Sequence, residues 1–166
     1  MAHKQHWENL MVFYGEAHQN TINVLTHVIG VPIIICSVFA AISLIPIGPL
    51  ETSWLLVAGL SLYYLYLDLV FGVSIIPLLV GLNLIAQYAV QQFSQTDILI
   101  WSAAGFFGGY ILQFVGHAIE GKKPSLVQNP VMAMVVAPLF MVAELYKLLG
   151  LRSELNEAVE KRLKNS

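Results

Sequence analysis

Two short stretches of the chain concentrate residues able to bind a metal or move a proton. The first holds Tyr14, His18, Asn20, Asn23 and His27, followed by Gly30 and Pro32; the second holds Gln113, Gly116, His117, Glu120, Lys122, Lys123 and Pro124. Two or three imidazoles with a carboxylate suit a non-haem Fe(II), which keeps coordination positions open for oxygen and substrate. In the first stretch Tyr14 and His18, like Asn23 and His27, are four apart, so each pair shares a helix face. His18 and His27 are nine apart, which puts them about 180° from each other around one continuous helix. They face one site only where that helix breaks. Gln19, Asn20 and Thr21 supply the break, because Asn and Thr favour helix N-caps. His117 and Glu120, three apart, share a face and are able to bind one metal together.

The frame that must position these groups is apolar. Of the 166 residues 57% are hydrophobic and 11% charged, and no Lys or Arg lies between Lys4 and Lys122. A soluble surface cannot be built from that, and a net charge of -2 without a basic cluster points away from nucleic acid. The single cysteine, Cys36, excludes an intrachain disulfide and any multi-cysteine zinc site. It reads as a packing residue. The expected fold class is all-α, a polytopic helical membrane protein of four to five transmembrane helices in one domain spanning 1–166. An amphipathic interfacial helix is expected over 1–18, and no cleavable signal peptide is expected at the start.

Windows near 22–45, 53–71, 73–92 and 98–118 are apolar over the ~20 residues that a bilayer crossing needs. A fifth, 130–149, is interrupted by Pro130 and Pro138 and carries Glu144, so it reads as a fifth span or a re-entrant segment. Residues 151–166 form an amphipathic tail. Turn residues divide the windows: Pro46, Gly48 and Pro49, then Gly72, then Ser94 to Asp97, then Gly121 and Pro124. Four spans between the two histidine stretches bring His27 and His117 to the same membrane face, and Lys122 and Lys123 assign that face to the cytoplasm.

Simpler roles exist for each residue. A single intramembrane histidine is able to hydrogen-bond across helices, and Glu120 and Glu144 are able to sit at the interface. Three histidines near one face, with a carboxylate and two asparagines, are harder to explain as packing, because polar groups at membrane depth are costly. Asp68, inside the second window, is the remaining polar outlier; it fits a buried partner, bound lipid, the interface or a place beside the site. His3 and His6 are expected in solvent. Tyr63, Tyr64, Tyr66, Trp54 and Trp101 read as belt and packing residues.

At the two histidine stretches the sequence resembles the family of the yeast endoplasmic-reticulum 2-hydroxy fatty acid dioxygenase and its small bacterial membrane homologues. The matching segments run from Tyr14 to Pro32 and from Gln113 to Leu126, followed by Ala137 to Phe140 and Glu144. The resemblance implies an Fe(II)-dependent dioxygenase that shortens a 2-hydroxy long-chain fatty acid by one carbon, using O2 and releasing CO2. It carries over His18, His27 and His117 as iron ligands, with Glu120 as a further candidate. Tyr14, Asn20, Asn23, Asp68, Lys122 and Lys123 then fall to the substrate or to the surroundings of the metal. Two departures stand out: the step from His117 to Glu120 is one residue shorter than in the yeast pattern, and Ser125 follows Pro124 where Ala is expected. The competing function is a small transporter or lipid-binding protein using His27, His117 and Asp68, against which the absence of an inverted repeat counts. A two-iron desaturase needs more histidines than the five present. The expected location is a bacterial inner membrane in preference to the endoplasmic reticulum.

Overall fold

The computed structural model describes residues 2–47, 50–151 and 153–163. Helix α1 (Ala2–Gly15) ends in a turn at Glu16 and Ala17, and Asn20 starts α2 (Thr21–Ser43). The Asn20 Oδ1 accepts a hydrogen bond from the Ile22 N–H at 2.8 Å, as an N-cap does. The break required between His18 and His27 is present, with the first helix stopping at Gly15 rather than 18.

The two-residue strands β1 (Pro46–Ile47) and β2 (Leu50–Glu51) pair antiparallel and lead into α3 (Thr52–Leu67). Helices α4 (Leu69–Gln92), α5 (Gln95–Glu120), α6 (Ser125–Gln128), α7 (Pro130–Leu148) and α8 (Ser153–Leu163) follow. The turn expected at Gly72 falls at Asp68. In extended backbone there, its Oδ1 accepts from the N–H groups of Val70 and Phe71, each at 3.0 Å, and this starts α4. Gly72 instead serves close approach inside α4: a Cβ there would stand 2.6 Å from the Leu65 N of α3.

Helices α2, α4, α5 and α7 are each long and apolar enough to cross a membrane. The 16 residues of α3 give it a length of about 24 Å. Large apolar side chains such as Leu25, Ile29, Ile85, Ile100, Phe107 and Ile111 face outward, a surface suited to lipid. The chain is a polytopic helical membrane protein.

Helices α2 and α5 run antiparallel along a seam of small residues. A Cβ at Gly109 would meet Ile34 Cγ1 at 2.6 Å and the Gly30 carbonyl at 3.0 Å; at Gly105 it would collide with Ser37 Oγ, and at Gly116 with Thr26 and Asn23. Small residues let membrane helices pack backbone to backbone where no hydrophobic effect drives them together. At the end of the bundle away from the histidines, Gln87 Nε2 of α4 donates to Ser43 Oγ (3.0 Å) and Ser53 Oγ (2.7 Å), tying α4 to α2 and α3.

Helix α7 meets the opposite end. The Tyr64 hydroxyl, near the close of α3, donates to the Val135 carbonyl at 2.8 Å. Phe140 packs on Tyr14 of α1, and Tyr146 contacts Phe71 and Ser74 near the start of α4. Helix α8 lies on α1 through Leu163 against Gly15 and through Arg162, which donates to Asn9 at 2.8 Å.

Candidate metal centre

The break after α1 and the α2–α5 seam together deliver His18, His27 and His117 to one point. All three are buried, and one ring nitrogen from each lies within 4.8 Å of the others. His18 comes from the linker after α1, its ring stacked on Tyr14 with centroids 4.1 Å apart. His27 lies in the second turn of α2, and His117 in the last turn of α5.

The hydrogen bonds fix which nitrogens are free. His18 Nδ1 lies 2.6 Å from the Tyr14 carbonyl, and His27 Nδ1 lies 2.9 Å from the Asn23 carbonyl. A carbonyl only accepts, so both Nδ1 atoms carry the proton, the arrangement common around metal-binding histidines. The two Nε2 atoms then present lone pairs to each other 3.1 Å apart with no hydrogen between them. Burial, together with the neighbouring His27, lowers the His18 imidazole to about 3, so it stays neutral at ordinary pH. Facing lone pairs repel, and a shared cation turns the repulsion into attraction. The 3.1 Å gap also suits two adjacent nitrogens that each stand about 2.1 Å from one ion.

Glu120 stands outside the three-histidine group. Its Oε1 accepts from the Gln19 N–H at 2.8 Å and its Oε2 from Asn23 Nδ2 at 2.7 Å. It thereby clamps the linker carrying His18 to the end of α5. Asn23 is fully buried, and its amide also reaches the Ala17 carbonyl (2.9 Å) and His117 Nδ1 (3.3 Å). With two hydrogens for three acceptors, the shorter bonds to Ala17 and Glu120 take them. Lys122 Nζ donates to the Glu16 carbonyl at 2.5 Å, closing the same linker from outside, and Lys123 is exposed. Asn20 caps α2 and Asp68 caps α4; neither belongs to the histidine group. The side chains of His3 and His6 lie outside the described residues.

The histidines open onto a cavity of about 220 Å³ lined by residues of α1 through α7. Away from the rings its walls are mainly apolar, with Val31, Ile35, Phe39, Leu60 and Leu79 among them. From His27 to Phe39 the lining follows α2 for about 18 Å. Tyr64, Tyr110, Gln113 and Ser125 add polar groups. The sequence places Tyr64 only among belt and packing residues, and marks Ser125 only as a departure from the family pattern. The step after Pro124 was the sequence signal available for Ser125; none pointed Tyr64 into the cavity.

A family model described as "2-hydroxy-palmitic acid dioxygenase Mpo1-like" matches residues 4–149. The chain is also 32% identical over 151 residues to the 2-hydroxy-palmitic acid dioxygenase MPO1 of Saccharomyces cerevisiae, covering 89% of this chain and 84% of the yeast protein. The chain belongs to this family. No solved structure matches it. Membership of a dioxygenase family supports an enzyme acting in lipid metabolism, in keeping with a polar centre at the mouth of an apolar cavity.

Proposed function

We propose that the protein is a non-haem Fe(II) dioxygenase that converts a 2-hydroxy long-chain fatty acid to the fatty acid one carbon shorter, with release of CO2. The observation that carries this reading is the buried group His18, His27 and His117 at the head of an apolar cavity, in a chain of the Mpo1-like family. The reaction balances with O2 alone: C1 leaves as CO2, C2 becomes the new carboxyl carbon, and the remaining oxygen leaves as water. The four electrons lost by the two carbons reduce O2, so the stoichiometry calls for no outside reductant.

His18, His27 and His117 would hold the iron, which supplies a place to bind and activate oxygen beside the substrate. The three imidazoles form the donor group, and Glu120, bonded to the Gln19 N–H and to Asn23 Nδ2, holds the His18 linker beside it. The two backbone carbonyls hold the His18 and His27 rings with Nε2 inward. The apolar walls along α2 accept the alkyl chain and exclude water. Lys122 and Lys123 lie outside the centre, on the face where a carboxylate would arrive.

Helix α7 covers the site in this proposal rather than crossing the bilayer. It leaves from the face where α5 ends, and α8, which follows it, lies back on α1 at that face. The proposed setting is a bacterial inner membrane.

The test incubates the purified protein with 2-hydroxypalmitate and Fe(II) in air. Pentadecanoate and CO2 are the expected products, and they disappear with His27→Ala. Recovery of unchanged hydroxy acid from iron-loaded, folded protein overturns the reading.

A further inference from the structure

Among the described residues, buried side-chain polar atoms without a hydrogen-bond partner occur on Ser61, Asn83 and Ser125. Of these three, Ser125 lines the histidine cavity. It is 2% exposed and begins α6, just after the loop that leaves His117. A buried hydroxyl without a partner costs about 1–3 kcal/mol, so an unmatched one on a residue that lines a binding cavity has a use when a small shift lets it meet what fills that cavity.

We propose that Ser125 is a specificity-determining residue whose hydroxyl hydrogen-bonds the 2-hydroxyl of the substrate. This rests on the substrate class proposed above. A carboxylate buried in an apolar cavity demands a positive charge or several donors, which one serine cannot supply. A neutral hydroxyl is the matching group, since each of the two partners has a hydrogen to give and lone pairs to accept. A site built this way rejects the analogue that lacks the hydroxyl, because the serine is then left unpaired in a filled cavity.

The test compares binding of 2-hydroxypalmitate and palmitate by calorimetry, on iron-loaded protein in detergent without oxygen, so that no turnover occurs. Wild type is expected to prefer the hydroxy acid. Ser125→Ala is expected to lower that preference about tenfold, with palmitate binding unchanged or tighter. Ser125→Thr should keep the preference, and Ser125→Cys, which retains volume but donates weakly, should reduce it if the alanine variant folds poorly. A preference that survives undiminished in both folded variants overturns the role of Ser125 while leaving the substrate class intact. Equal binding of the two acids by wild type overturns both.

Discussion

Two clusters of polar residues sit at opposite ends of α2, and they differ in how their hydrogen bonds finish. At the far end, the Gln87 amide gives its two hydrogens to Ser43 and Ser53, and Ser43 passes its own to the Phe39 carbonyl. That network runs from Gln87 to a backbone carbonyl of α2 and ties three helices together. At the near end, Asn23, Glu120 and two backbone carbonyls satisfy the outer atoms of the histidines' surroundings, while the Nε2 lone pairs of His18 and His27 converge. Polarity at membrane depth therefore does not by itself mark a site. A set of unshared lone pairs, held in place by bonds made elsewhere, does.

The contrast can be broken by substitution. The largest effect is expected from replacing His18, His27 or His117 with Ala, each lowering metal affinity by at least about 100-fold in direct metal analysis, beyond the range typical of outer-shell changes. Next comes Asn23→Leu, which removes the bridge from the Ala17 carbonyl to Glu120, one of the ties between the His18 linker and α5; a loss of about 10- to 100-fold in metal affinity is expected. Gly116→Ala should destabilise the protein by about 1–3 kcal/mol through collision with Thr26 and Asn23. Gly81→Ala, where a new Cβ meets nothing within 4 Å, should be neutral or mildly stabilising in the same thermal melts. The far cluster should matter little to the centre: Gln87→Leu is expected to cost about 1 kcal/mol or less and leave metal content unchanged.

The convergence of the histidines is legible in the sequence because it depends on countable things: an even number of long apolar segments, the four helices α2 to α5, from one stretch to the other, and a capping residue at Asn20. Asp68 was legible too, and misplaced. An acidic residue before an apolar run is an N-cap signal, yet the long apolar window hides the boundary, and Gly72 is the more obvious turn residue in the sequence. The role of Glu120 was out of reach. Spacing from His117 puts it on the right helix face, but what its oxygens meet is set by Gln19 and Asn23, about a hundred residues away in the chain. The same holds for Ser125, whose proposed role depends on a cavity wall assembled from helices far apart in the chain.

The central claim is that the three histidines, and not the other polar residues of the membrane interior, hold one metal ion. The most direct measurement titrates Fe(II) into metal-free protein in detergent without oxygen and counts bound iron for wild type, His27→Ala and Gln87→Leu. Saturation at about one iron per chain is expected in wild type and Gln87→Leu, and almost none in folded His27→Ala. Iron bound equally by all three proteins would contradict that claim.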